Sequence, residues 1–409
     1  MRPILFSLAL LFAASVYAQP TPKVVFVIAD GIPADVMERL QPPAIQQIIQ
    51  TGSYHRAYVG GIKGTYKETP TISAPGYNDL LTGVWGYKHN VWNNDNQHPN
   101  YNYASIFRLA KSQKRPLTTA VFSTWEDNRT VLIGEGLAQT GGLSMDYKFD
   151  GYEKDTARFR HDRAAYYIHQ IDETVIHAAD SVIRLKAPDL SWIYLEYTDD
   201  IGHRKGTGAA QDSAILLLDQ QMAKIAAAIS YREKNFNEKW LLVITTDHGR
   251  DAVSGHNHGG QSDRERTTWI VLNKKVTNTY WTSGSPAIVD IYPSIANFMG
   301  LEVPAAIKNE LDGSPFIGNI SITNAALEAS GDSLNVSWTA FQPNEKVKVS
   351  ISYTDLAKEG KKDQYKSLGT CKAGAEKCSF TIPGLSAKVF YKIIIEGKHN
   401  SLNTRYIKK

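Results

Sequence analysis

Apolar positions along the chain fall into two regimes. Between residues 23 and 300, short Val/Ile/Leu-rich runs at 24–29, 117–122, 192–197, 241–245 and 268–272 alternate with stretches of helical spacing at 36–49, 164–185, 209–229 and 288–299. Runs apolar on both faces, separated by helices, predict an α/β architecture: a mostly parallel sheet covered on both sides. Beyond Pro315 the runs become short and alternating, at 320–323, 334–339, 347–353, 379–382 and 389–395, with turn residues between them. That pattern predicts a small β-sandwich. The expected division is a leader at 1–18, an α/β domain at 19–317 and a β-sandwich at 318–409.

Composition narrows this picture in three places. Met1-Arg2, the apolar run 4–16 and the small-residue exit Val16-Tyr17-Ala18 have the three regions of a cleaved secretory signal, so an exported chain starting at Gln19 is expected, periplasmic or secreted. The apolar run is shorter than the ~20 residues a spanning helix needs, so no membrane span is expected after cleavage. Forty-five basic against 41 acidic side chains argue against a surface that wraps nucleic acid. The two cysteines, Cys371 and Cys378, lie close together in a chain read as exported, which favours a disulfide over a metal site or a thiol nucleophile. Chemistry must come from other residues, and the tail is expected to be a packing or spacer module that can be removed without loss of activity.

Candidate chemistry clusters where strands should end. Asp30 follows the apolar run 24–29, and Asp247-His248 follows 241–245; an open α/β sheet places its ligands at such carboxyl ends. Asp199 and His203 are four residues apart, so one helical turn brings a carboxylate and an imidazole to one side. Asp200 is a rival for Asp199. His258 lies in Gly255-His256-Asn257-His258-Gly259-Gly260, with His256 as its rival. Carboxylate and imidazole side by side suit zinc. Each residue alone could cap a helix or satisfy a buried polar group, but their joint placement points to a two-metal hydrolase.

These residues, in the order Asp30, Ser73, Asp199/His203, Asp247-His248 and His258, resemble the alkaline phosphatase superfamily. The similarity is strongest to its type I phosphodiesterase/nucleotide pyrophosphatase branch, through Thr69-Pro70-Thr71-Ile72-Ser73-Ala74-Pro75-Gly76 and Leu81-Thr82-Gly83-Val84-Trp85. The resemblance implies one Zn²⁺ on Asp30, Asp247, His248 and the Ser73 oxygen, and a second on Asp199, His203 and His258. It makes Ser73 the nucleophile, where the branch commonly carries Thr, and Asn94 the phosphate-contacting residue, with Asn93 as alternate. A Zn²⁺-held serine oxygen needs no separate base, and a second metal about 4 Å away can stabilise the leaving oxygen. The implied course is two in-line displacements through phosphorylated Ser73, with retention at phosphorus, on a small phosphate ester or nucleotide.

Several alternatives remain open from the sequence. A sulfatase is disfavoured because Ser73-Ala74-Pro75-Gly76-Tyr77 carries Tyr77 where the conversion motif of that family needs Arg. A phosphomonoesterase would need an additional cation for its dianionic substrate, and Arg129 is the candidate. Without it, a phosphodiester is favoured, with Trp85, Tyr87, Trp92 and Trp125 available to hold a base or aryl group. A non-catalytic relic carrying a surface-binding sandwich is the remaining reading, and a complete ligand set argues against it. The similarity to a fibronectin type III module rests on Leu334-Asn335-Val336-Ser337-Trp338 and Tyr391-Lys392-Ile393-Ile394-Ile395.

Overall fold

The computed structural model describes residues 19–95 and 98–408; the leader expected at 1–18 lies outside them. Seven strands, β1 (Thr21–Ala29), β2 (Ser53–Tyr58), β3 (Thr119–Ser123), β4 (Tyr147–Phe149), β5 (Leu190–Leu195), β6 (Glu238–Thr245) and β7 (Thr267–Leu272), form one sheet. Their order is β2-β7-β6-β1-β5-β3-β4. β1 pairs in parallel with both β5 and β6, β3 with β5 and β4, while β7 runs antiparallel to β6 and β2.

Strand alternation explains why these runs lack polar positions. Val24, Phe26 and Ile28 of β1 enter one apolar layer, and Val25, Val27 and Ala29 enter the other. The first layer packs under the helices Ser73–Thr82, Ile106–Lys111 and Ile291–Met299, and the second under Tyr166–Lys186 and Ala209–Asn235. Both faces of the strand are buried, so both need apolar side chains.

Several boundaries differ from the sequence expectation. The helix expected over 36–49 is two, Ala34–Leu40 and Pro43–Thr51, because Gln41 turns left-handed at φ 49° and Pro42-Pro43 cannot continue the first helix. β5 stops at Leu195, and residues expected at its end instead open the helix Tyr197–Lys205. The segment 288–299 begins with one tight turn before Ile291–Met299. The edge strands β2 and β4 carry half-exposed, mixed residues and gave no apolar run.

The C-terminal region is a sandwich of two antiparallel sheets with its own apolar core. β8 (Ile322–Ser330), β9 (Ser333–Ala340) and β12 (Lys377–Thr381) make one sheet. β10 (Lys346–Ser352), β11 (Lys366–Lys372), β13 (Phe390–Glu396) and β14 (Ser401–Ile407) make the other. Cys371 and Cys378 form the expected disulfide, which joins β11 to β12 across the two sheets.

A buried polar seam ties the sandwich to the α/β domain. Lys88 Nζ donates to the Glu310 carbonyl at 2.5 Å and to Asn403 Oδ1 at 2.9 Å, and Lys392 Nζ meets Glu310 Oε1 at 2.5 Å and Asp363 Oδ2 at 2.6 Å. Arg405 stacks on Tyr87 at 4.7 Å from the ring centroid. Lys88 and Lys392 are shut off from solvent. The tail is therefore integrated through desolvated charges, and the expectation that it can be detached freely does not follow from this packing.

Candidate metal centre

Three neighbouring strands bring the candidate ligands together. β1 lies between β5 and β6, so Asp30, the Tyr197–Lys205 helix and Asp247-His248 emerge side by side at the carboxyl edge of the sheet. Buried Asp172 fixes the start of that helix, accepting from Thr124 Oγ1 at 2.5 Å, Glu196 N at 3.2 Å and Tyr197 N at 3.1 Å. Asp199 and His203 then share one face, His203 Nε2 being 3.1 Å from Asp199 Oδ2. Ser73 is the first residue of the helix Ser73–Thr82, packed tightly against β6: a Cβ on Gly76 would stand 3.0 Å from the Asp247 carbonyl oxygen. Glycine there lets the helix that carries Ser73 approach the segment that carries Asp247.

The side chains converge with their donor atoms inward. His248 Nδ1 bonds the Gly249 carbonyl at 2.9 Å, which turns Nε2 towards Ser73 Oγ at 3.3 Å, Asp247 Oδ2 at 3.2 Å and Asp30 Oδ1 at 3.4 Å. His258 Nδ1 bonds the Thr71 carbonyl at 3.0 Å, leaving its Nε2 3.0 Å from His203 Nε2. The rings of His248 and His258 stack at 3.7 Å. Two groups have metal-ligand spacing: Asp199, His203 and His258, and Asp30, Asp199 and His248. Asp199 belongs to both, so it stands between the two expected centres, and Asp247 joins the second group through its contact with His248.

The electrostatics of this cluster call for a cation. Burial, then the Asp199 charge, pushes Asp30 up to about 7. Burial, with Asp30 and Asp199 beside it, raises Asp247 well above the carboxylate range. Asp199 is also buried, but the His203 bond and the Arg250 guanidinium hold it below its ordinary value. Burial, then neighbouring His258, keeps His248 well below the imidazole range, in the neutral form that ligates metals. Asp30 Oδ1 and Asp247 Oδ2 are buried without a hydrogen-bond partner. Unpartnered buried carboxylate oxygens and inward imidazole nitrogens are the donor set of a divalent metal, and these residues fit one.

Rival residues are drawn away from the centre. Asp200 pairs with Arg204 at 2.5 Å, and His256 bonds the His203 carbonyl at 2.8 Å. Asn94, rather than Asn93, reaches the nucleophile segment: its Oδ1 accepts from Ala74 N at 2.9 Å, whereas Asn93 Oδ1 takes Asp95 N. Arg129 is enclosed by carboxylates, with Nε and Nη2 on Asp150 at 2.6 and 2.8 Å and Nη1 on Glu135. Of the aromatic candidates, Trp125 lines the cavity of about 690 Å³ that opens over Ser73 and Asn94. Trp85 is buried core against Tyr58, Tyr87 sits in the seam, and Trp92 is exposed.

Sequence reasoning missed three supporting residues. Tyr77 donates to Asp30 Oδ2, as does Tyr194 at 2.7 Å, leaving Oδ1 for the metal. Arg250 binds Asp199. Tyr194 reads as an ordinary apolar-layer position and Tyr77 only as the residue at the Arg position of a sulfatase pattern, and Arg250 had one available signal, a charged residue directly after Asp247-His248-Gly249.

Comparison with known proteins places this geometry. A family model described as type I phosphodiesterase / nucleotide pyrophosphatase matches residues 24–313. The chain is 24% identical over 145 residues to a 2,3-bisphosphoglycerate-independent phosphoglycerate mutase of Mesoplasma florum, covering 35% of this chain and 26% of that protein. A counterpart from Mycoplasma mycoides is 22% identical over 151 residues, or 36% of this chain and 27% of that one. The chain thus matches about a quarter of the length of these curated relatives. Among solved structures, Ps i-CgsB in complex with k-i-k-neocarrahexaose superposes with a TM-score of 0.50 at 15% identity, over 78% of this chain and 82% of that one. Murine ectonucleotide pyrophosphatase / phosphodiesterase 5 gives 0.48 at 14% identity, over 69% and 96%. At these identities a structural likeness bears on fold alone. The mostly parallel sheet with helices on both faces is the architecture expected from the sequence, and the family model spans well over half of the 409 residues. The chain belongs to the type I phosphodiesterase/nucleotide pyrophosphatase family.

Proposed function

We propose that the protein is an exported two-zinc hydrolase of phosphodiesters or nucleotides that acts through Ser73. The observation that carries this reading is the placement of Ser73 Oγ 3.3 Å from His248 Nε2, whose ring also meets the unpartnered oxygens Asp30 Oδ1 and Asp247 Oδ2, with Ser73 and Asp30 lining one cavity. Metals held by Asp30, Asp247 and His248, and by Asp199, His203 and His258, would supply Lewis acidity to the phosphoryl oxygens and favour the ionised serine. Ser73 Oγ attacks phosphorus and the alcohol on the opposite side leaves. Water then cleaves the phosphoryl group from Ser73, and the second in-line displacement restores the configuration. The Ala74 amide donates to Asn94 Oδ1 at the start of the Ser73 helix, which supports a role for Asn94 Nδ2 as donor to a phosphoryl oxygen. Imidazole-rich ligand groups support zinc over oxygen-preferring calcium.

Charge favours a diester. Among the described residues lining the cavity there is no Lys or Arg, while Asp95 and Asp127 are there; Glu196 is there too, but burial holds its carboxyl well above the usual carboxylate range. A dianionic monoester would meet uncompensated carboxylates; a diester carries one charge fewer, and its second substituent can rest on Trp125. Tyr77, the position where a sulfatase pattern carries Arg, is committed to Asp30. Matched aryl diester and aryl monoester rates test the reading, and a higher kcat/KM on the monoester would refute it. For residues 318–409 we retain a fibronectin type III-like reading, supported by one three-stranded and one four-stranded antiparallel sheet. Export rests on the leader-like residues 1–18, and mass spectrometry of the secreted chain, expected to begin at Gln19, tests it.

A further inference from the structure

We infer that Arg250 is the positioning residue that assembles the second metal site, by tying Asp199 to the loops that carry Asp30 and His258. The inference rests on the two-metal reading above. Arg250 is wholly buried. Its Nε donates to the Gly31 carbonyl at 3.0 Å, its Nη1 to the carbonyls of Gly255 at 3.3 Å and His256 at 3.1 Å, and its Nη2 to the Asp199 carbonyl at 2.6 Å and to Asp199 Oδ1. All five guanidinium hydrogens are therefore used. Their acceptors sit on three separate segments, each holding a ligand: Gly31 follows Asp30, Asp199 is itself a ligand, and Gly255-His256 leads to His258.

Two consequences follow for the metal. With Oδ1 held by the guanidinium, Asp199 offers Oδ2, the oxygen that lies 3.1 Å from His203 Nε2. The carboxylate thus presents one oxygen to the second site. That site has one carboxylate for its two imidazoles, and its His203 side chain is 43% exposed. The other centre has Asp30 and Asp247, both buried. The second site therefore depends on placement of its single carboxylate, and Arg250 provides that placement. Space around it is reserved: a Cβ on Gly202, one turn along from Asp199, would stand 2.3 Å from both Arg250 Cζ and Nε.

The test is Zn²⁺ binding to the full mature chain, by competition with a chelating dye, on wild type, Arg250→Met, Arg250→Lys and Gly202→Ala. Wild type is expected to bind two metals. In all three variants the weaker site should lose affinity by about 10–100-fold, the usual effect of removing a partner behind a ligand. The tighter site, which Asp199 also borders, should lose less than the weaker one, since Asp30 keeps Tyr77 and Tyr194 behind it and Asp247 and His248 remain. Lysine keeps the charge but cannot span five acceptors, so it should not rescue. If Arg250→Met does not fold, Gly202→Ala decides, because it displaces the guanidinium while keeping every ligand and charge. A purely structural role would lower stability and leave both affinities alone. Two metals in wild type with an unchanged weaker site in the variants would overturn this inference by itself; one metal in wild type would overturn the two-metal reading and this inference with it.

Discussion

Arg129→Ala should leave the preference between diester and monoester intact. A free guanidinium about 4 Å from a phosphoryl oxygen, at an effective dielectric near 20, contributes about 4 kcal/mol, or roughly a thousandfold in rate. Arg129 is not free in this sense: Asp150 takes two of its nitrogens, Glu135 a third, and Glu126 approaches at 3.5 Å. Two close carboxylates more than cancel the charge seen by a distant substrate, so the ratio of monoester to diester kcat/KM should shift by less than about threefold. The substitution does have a structural cost. Asp150 and Glu135 side chains are 4% and 6% exposed, and leaving them without a partner costs on the order of 3–5 kcal/mol, moderated by Lys148 at 3.2 Å from Glu135. Both substrates must therefore be assayed on one preparation, so that any unfolded fraction cancels from the ratio. A selective loss of about a hundredfold or more on the monoester would refute the reasoning and make Arg129 a substrate contact.

Other outcomes follow from the same geometry. Lys392→Met leaves Glu310 and Asp363 facing each other in the seam and should cost about 3–5 kcal/mol, seen as a lower denaturant midpoint; an unchanged midpoint would show that the seam does not hold the sandwich. Trp125→Ala should raise KM for an aryl diester by about 3–10-fold with little change in stability, whereas equal KM values would remove Trp125 from the substrate site. Metal-free protein should lose stability as pH rises from about 4 to 7: folded Asp30, pushed up by burial to about 7, holds its proton over a range where the unfolded chain, at 3.8, has released it. Adding Zn²⁺ at pH 8 should reverse the loss, and a Tm that is flat with pH in the chelated protein would contradict the crowding of Asp30, Asp247 and Asp199.

Much of the site could be read from the chain because metal ligation demands particular atoms at strand ends. Asp30 directly follows a fully buried apolar run, Asp247-His248 follows another after Thr245-Thr246, and the Asp199–His203 spacing is one helical turn. What supports those ligands was not legible. Tyr77 and Tyr194 alternate with Trp192 and Leu80 in apolar layers, so their hydroxyl bonds to Asp30 leave no pattern in sequence. Arg250 acts on the backbone carbonyls of Gly31 and Asp199, 219 and 51 residues away, which no local spacing encodes. The fold was legible where burial forces apolar runs, in β1, β5 and β6, and not in the edge strands β2 and β4, where one side meets solvent. The seam was hidden for a related reason: Lys88 in the α/β domain and Lys392 and Arg405 in the sandwich look like surface charges until the two regions pack together.

The most direct test of the central claim is rapid acid quench of the Zn²⁺-loaded protein during turnover of an aryl phosphodiester, followed by peptide mass spectrometry. The account predicts that the peptide containing Ser73 carries the phosphoryl group with its remaining substituent, and that Ser73→Ala abolishes the adduct while retaining the metals held by Asp30, Asp247 and His248 and by Asp199, His203 and His258. Turnover with an unmodified Ser73 peptide, or undiminished turnover in Ser73→Ala, would contradict it.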